Sequence, residues 1–264
     1  MGVAEVFAKA KADNRGVLVG YLPVGFPDVP GSLDAMKAMV DAGVDVVEVG
    51  VPYSDPVMDG PTIQAAAERA LRGGVRTRDV FRATEAVAAA GAPALVMTYW
   101  NPVERYGVER FAADLANAGG AGLITPDLIP DEAQPWLAAS EAHGLDRVFL
   151  VAPSSTTARI ASTVEVCRGF VYATAVMGVT GARESTSSAA PTLVERVREA
   201  TDLPVGIGLG VSNGAQAAEV AGYADGVIVG SALVRCLLDA PDPKAGLDAI
   251  TELSADLAAG VRRR

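Results

Sequence analysis

The chain has 264 residues, half of them hydrophobic, and a formal net charge of −10. That length suits one large α/β domain or two small ones, and the acidic balance argues against a nucleic-acid partner. No apolar run reaches the ~18 residues of a membrane span, and no charged-then-apolar leader opens the chain, so a cytoplasmic location is expected.

Short Val/Ile/Leu runs recur along the chain, each followed by an Ala-rich stretch. They predict strands at 17–22, 44–50, 93–99, 121–125, 147–151, 169–175, 204–208 and 225–230. Between them, Leu33, Met36 and Val40 follow a helical period, as do Leu193, Val194 and Val197. Alanine supplies helix propensity in the other connections. No Pro/Ser/Gly linker divides the pattern, so residues 1–264 read as a single domain. Eight strand–helix units in this length are what a (β/α)8 TIM barrel requires. A doubly wound open sheet is the alternative, but the first strand runs into Leu22-Pro23-Val24-Gly25-Phe26-Pro27, which lacks the dinucleotide-binding glycines.

The second strand carries the strongest chemical signal. It reads Val46-Val47-Glu48-Val49-Gly50, and a Pro/Gly-rich loop then delivers Asp59. A carboxylate inside a Val-rich strand is costly to bury in ionised form, and such a group shifts its pKa. A shifted carboxyl suits general acid/base catalysis. The bland alternative for Glu48 is a structural ion pair; for Asp55 and Asp59 it is turn formation, since Asp–Pro and Asp–Gly favour turns. Strand alternation puts Tyr172 on one face with Phe170 and Thr174, either in the pocket or as a core aromatic.

Three Gly-containing segments follow the last three strands: Gly178-Val179-Thr180-Gly181, Gly208-Leu209-Gly210-Val211-Ser212 and Gly230-Ser231. In a closed barrel they are neighbours, and backbone N–H groups there are expected to form an anion site of the kind that binds phosphate; the bland alternative is that the glycines merely make tight βα turns. None of the four lysines ends a predicted strand, which disfavours a Schiff base. One histidine and two scattered cysteines cannot build a usual zinc site, and no metal is expected. Cys167 and Cys236 read as buried free thiols, and His143 as the end of a helix capped by Gly144.

Val47-Glu48-Val49-Gly50-Val51-Pro52-Tyr53-Ser54-Asp55-Pro56 with Asp59-Gly60-Pro61-Thr62-Ile63-Gln64 resembles the tryptophan synthase α subunit family, and the three late Gly segments agree with it in order and spacing. The resemblance spans nearly the whole chain and implies a (β/α)8 barrel. It implies retro-aldol cleavage of indole-3-glycerol phosphate to indole and glyceraldehyde 3-phosphate. Glu48 would shuttle the protons, Asp59 would bind the indole N–H, and Tyr172 would hold Glu48 or the substrate. Gly181, Gly210, Gly230 and Ser231 would bind phosphate. By family position, Tyr21, Met97, Ile124, Leu150, Leu209 and Ile228 would form the apolar indole pocket. The resemblance also implies an αββα complex with a β subunit that carries pyridoxal phosphate, no cofactor in this chain, and Pro52 and Asp55 communicating with the partner. Residues 181–187 correspond to a closing loop. Met58 stands where the family usually has a smaller side chain, and the first loop, 22–27, departs from the commoner Thr-containing form. A stand-alone indole-releasing lyase and a non-catalytic, phosphate-binding regulatory subunit are the competing functional readings.

Overall fold

A computed structural model describes residues 2–174 and 189–263. Eight parallel strands follow one another around a closed barrel: β1 (Val17–Pro23), β2 (Val46–Gly50), β3 (Ala94–Met97), β4 (Gly122–Thr125), β5 (Asp146–Val151), β6 (Val171–Thr174), β7 (Val205–Gly208) and β8 (Gly226–Val229). β8 pairs back onto β1, so the sheet has no edge and the open-sheet alternative is excluded. All eight expected strands form; β1 and β5 are one residue longer than expected and the other six are trimmed. β2 starts at Val46 because the Asp45 carboxylate is tied to Arg15 at 2.8 Å and to the Leu18 N–H at 2.9 Å. β3 stops at Met97 because Tyr99 is already the N-cap of helix Trp100–Tyr106.

Some of the helices begin where the sequence supplies a side-chain acceptor. Asp28, Asn213 and Asp242 accept backbone N–H groups three residues on, at 2.7, 2.9 and 2.9 Å. Each such cap contributes about 1 kcal/mol. Gly43 and Gly119, with φ of 106° and 76°, turn the chain from a helix toward the next strand.

Two apolar layers result. Outward-facing residues such as Leu22, Val47, Val49 and Leu123 pack against helix faces that include Ala35, Met36, Met39, Leu193, Val194 and Val197. Leu33 and Val40 flank that face and are only partly buried. Inward-facing Val17, Val19, Val46, Leu95, Ile124, Val148, Phe170, Tyr172 and Ile228 fill the barrel. Helix Val3–Ala12 packs onto this inner layer through Val3, Val6, Phe7 and Ala10, with the Phe7 and Phe170 rings 5.4 Å apart. Burial contributes roughly 1.5–3 kcal/mol per large apolar side chain. Val46, Val47 and Val49 thus hold β2 in place around the one acid it carries.

Gly206 and Gly208 on β7 leave the inner face bare. A Cβ on Gly206 would meet the Phe170 ring at 2.9 Å, and one on Gly208 would meet the Tyr172 hydroxyl at 2.6 Å. The rings of Phe170, just before β6, and Tyr172 on β6 therefore lie across β7.

Candidate active site

A pocket opens at the C-terminal ends of the strands, the end where barrels of this architecture place their chemistry. Glu48 and Asp59 both line it, together with Tyr21, Tyr99 and Tyr172. Among the described residues, no lysine or arginine lines the pocket, so the two acids have no cation beside them there.

Glu48 is 1% exposed, and its Oε1 has no hydrogen-bond partner among the described residues. The structural ion pair is therefore not what the strand provides. Burial alone pushes the Glu48 carboxyl up to about 8. A group with that value can both hold and release a proton near neutral pH.

Asp59 ends the loop after β2, and Gly60 then caps helix Pro61–Arg72. The Gln64 side-chain amide donates to the Asp59 carbonyl at 2.7 Å, and this fixes the turn. The Asp59 carboxyl is raised by burial, an effect opposed by a hydrogen bond from Tyr99. That bond runs from the Tyr99 hydroxyl to Oδ1 at 3.1 Å, and the same hydroxyl accepts the Met58 N–H at 3.0 Å. Tyr99 is itself braced by the Tyr53 ring, 5.2 Å away, and the Tyr53 hydroxyl accepts from Asn101 at 2.9 Å. Burial, with the Asp59 charge as a smaller contribution, pushes the Tyr99 phenol up to about 12, so it stays a donor. The sequence reading did not single out Tyr99. Its contact with Asp59 joins residues 40 apart, and no local motif encodes that; only the position just past β3, at the active end of the barrel, could have pointed to it.

Tyr172 is buried, and its hydroxyl is held well above its ordinary range, first by burial and then by the Glu48 charge. Of the expected apolar wall, Tyr21, Met97, Leu150, Leu209 and Ile228 line the pocket. Ile124 is not among the lining residues: it is fully buried in the inner layer with Leu95 and Val148, although it pairs in register with Met97, which does line the pocket. Tyr21 lines the pocket but carries a hydroxyl into it, so that wall is not purely apolar.

Gly210, Gly230 and Ser231 border the same pocket. Gly210 has φ of 76°, a left-handed conformation suited to glycine. Gly230 is the N-cap of helix Ser231–Leu238, so the free N–H groups of that first turn, and their partial positive charge, lie at the pocket rim. Gly181 and the loop 181–187 lie outside the described residues. Pro52 is buried in the loop after β2, whereas Asp55 is exposed and accepts the Ser54 hydroxyl at 2.6 Å. Cys167 is buried as expected, but Cys236 is only half-buried. His143 ends its helix beside Gly144 and lies 2.9 Å from Glu109.

Fold and site together define the class: a (β/α)8-barrel enzyme with an uncompensated acid pair and a helix N-terminus around one pocket. The comparisons make the class particular. The chain belongs to the tryptophan synthase alpha chain family, whose model matches residues 7–262. It is 71% identical to the tryptophan synthase alpha chain of Salinispora arenicola over 262 residues, which are 99% of this chain and 97% of the relative. It is 64% identical to that of Nocardia farcinica over 260 residues, 98% and 96% of the two chains. A structure of Mycobacterium tuberculosis tryptophan synthase superposes with a TM-score of 0.94 at 64% identity, covering 98% of each chain. The tryptophan synthase subunit alpha of Legionella pneumophila retains a TM-score of 0.87 at 30% identity, covering 99% of this chain and 98% of that one.

Proposed function

We propose that this pocket is where the chain, as the α subunit of tryptophan synthase, cleaves indole-3-glycerol phosphate, with Glu48 as the proton shuttle. The observation that carries the reading is Glu48 itself: a buried acid, raised to about 8, without a counterion, beside a second acid in a cleft that no described lysine or arginine lines. Protonated Glu48 donates to indole C3. The ring nitrogen takes the positive charge, and the Asp59 carboxylate accepts its N–H and stabilises that charge. Glu48, now ionised, removes the proton of the glycerol hydroxyl on the adjacent carbon. The C–O bond becomes the aldehyde carbonyl, and the electron pair of the C–C bond returns to the ring as indole leaves. Protons balance, because Glu48 ends as it began.

Tyr99 keeps the Asp59 carboxylate aimed into the pocket. Tyr172 holds Glu48 or the substrate from β6. Gly210, Gly230 and Ser231 bind the phosphate, joined by Gly181. Tyr21, Met97, Leu150, Leu209 and Ile228 enclose the indole ring, and Ile124 supports them from below. No cofactor is assigned to this chain; pyridoxal phosphate belongs to a partner β subunit in an αββα complex, with Pro52 and Asp55 relaying its state. Supporting a partner at this end, the two exposed large hydrophobic residues among the described ones, Val57 at 70% and Ile129 at 42%, both lie in loops leaving the C-terminal ends of strands. The reaction is assigned to the cytoplasm.

Indole release from indole-3-glycerol phosphate, with and without a tryptophan synthase β subunit, tests the reading. Weak release that rises strongly with β supports it. Undiminished release by the chain alone, indifferent to β, would indicate a stand-alone lyase, and no release while the chain still activates β would indicate a regulatory subunit.

A further inference from the structure

β3 and β4 pair in register up to Met97 and Ile124, and one further rung, from the Thr98 N–H to the Ile124 carbonyl at 3.2 Å, ends the ladder. The β3 side then turns at once into helix Trp100–Tyr106, whose N-cap is Tyr99. The first N–H groups of a helix have no partner within it and need an acceptor. Tyr99 supplies none, for its side chain makes no bond to the first turn. Its hydroxyl is engaged elsewhere, with the Asp59 carboxylate at 3.1 Å and the Met58 N–H at 3.0 Å. The acceptor comes instead from the neighbouring loop. Asp127, two residues past β4, receives the Trp100 N–H with Oδ1 at 2.9 Å and Oδ2 at 3.2 Å. The carbonyl of the same peptide unit, on Tyr99, accepts the Thr98 hydroxyl at 3.0 Å. Both polar ends of the Tyr99–Trp100 peptide are therefore pinned, and with them the direction in which the Tyr99 ring leaves the backbone. Burial raises the Asp127 carboxyl and the bond from Trp100 opposes that rise, so the bond favours the charged acceptor.

We infer that Asp127 is a positioning residue for the acid that receives the ring nitrogen: by capping, from the loop after β4, the helix that Tyr99 opens, it fixes the peptide from which the Tyr99 phenol reaches Asp59. The inference deepens the proposed reading, on which it rests for the role of Asp59. Every link is a bond that the structure makes: Asp127 to the Trp100 N–H, Trp100 to Tyr99 along the backbone, and the Tyr99 hydroxyl to Asp59. Asp127 is itself exposed and does not line the pocket. The titratable groups that share the pocket with Asp59 are Tyr21 on β1, Glu48 on β2, Tyr99 after β3 and Tyr172 on β6. Of these, Tyr99 is the one bonded to Asp59, and its bond works against the rise that burial gives that carboxyl. Removing Asp127 thus has two opposite effects on Asp59. The loss of a negative charge by itself would lower the Asp59 midpoint, whereas the loss of the Tyr99 bond raises it. The sign of the shift separates a relay through Tyr99 from a direct effect of charge.

The test compares Asp127→Ala, Tyr99→Phe and the double variant. Asp59 is titrated in 13C-aspartate-labelled protein, its signal assigned by its loss in Asp59→Asn. Its midpoint is expected to rise by about one pH unit in Tyr99→Phe, a tenfold change in its ionisation. In Asp127→Ala it rises by about half a unit or more, and the double variant matches Tyr99→Phe alone, because both changes break the same link. In Asp127→Ala kcat for indole release falls about threefold to tenfold while KM stays within about twofold. Asp127→Asn, whose amide oxygen still accepts the Trp100 N–H, recovers most of that kcat. An Asp59 midpoint that stays or falls in Asp127→Ala, or a rise that adds in full to that of Tyr99→Phe, would overturn the inference and leave Asp127 as a helix cap alone. Indole release by the wild type on the same preparation reports separately on the functional reading. If it fails, that reading falls while the titration still decides what Asp127 does.

Discussion

Replacing Glu48 by Gln should stabilise the protein, and by an amount that grows with pH. In the folded chain Glu48 holds its proton up to about 8, against an ordinary 4.5. Below pH 4.5 both states are protonated and the group is neutral to stability. Between 4.5 and about 8 the unfolded chain has released the proton and the folded chain has not, so wild-type stability falls as pH rises. Each pH unit in that window costs up to ~1.4 kcal/mol, which at pH 7 amounts to about 3 kcal/mol as an upper bound. A glutamine at this position would be neutral throughout and escape the loss. For a chain of this size that gap corresponds to roughly 6–12 °C in Tm. The buried amide brings its own cost, but that cost does not vary with pH. The assay is thermal unfolding of both proteins at pH 4.5, 6, 7, 8 and 9.5. The expected result is a Tm difference that moves steadily in favour of the variant and levels off above pH 8. A difference that stays constant across the range would refute the reasoning, because Glu48 would then titrate alike in both states.

Three further outcomes follow from the geometry. Tyr99→Phe removes the 3.1 Å bond to Asp59 and the acceptor for Met58 N–H; stability should drop by about 1 kcal/mol in urea unfolding, and kcat should fall while inorganic phosphate still binds. Ser231→Ala should raise KM several-fold with little change in kcat, since it weakens a contact made equally in ground and transition states; a fall in kcat alone would contradict the phosphate assignment. Gly208→Ala places a methyl 2.6 Å from the Tyr172 hydroxyl; it should displace that ring and lower kcat more than it lowers phosphate affinity, as steady-state kinetics beside phosphate titration would reveal.

Much of this was legible before any coordinates. Continuous apolar runs carried the eight strands, because parallel strands covered on both sides read that way, and the period of 3.6 carried part of the buried helix faces. Glu48 stood out since it broke such a run. The caps Asp28, Asn213 and Asp242 act within a few residues of themselves, yet the sequence reading did not name them. What escaped depends on closure. The Tyr99–Asp59 bond exists only once β2 and β3 lie side by side. The docking of helix Val3–Ala12 under Phe170 requires the barrel to have a bottom. The resemblance put Tyr21 in an apolar wall, yet Gly50 across the strand pair is what admits its hydroxyl. Gly181 falls outside the described residues, so its part in phosphate binding stands on the sequence.

The central claim is that one buried carboxyl moves both protons. It is tested most directly by single-turnover cleavage of indole-3-glycerol phosphate by the wild type and by Glu48→Gln, each saturated with β subunit, alongside equilibrium binding of glycerol phosphate. The account predicts that the variant binds the phosphate ligand as the wild type does and loses cleavage by a factor of at least about 10² to 10⁴. Cleavage at the wild-type rate with glutamine in place of Glu48 would contradict it.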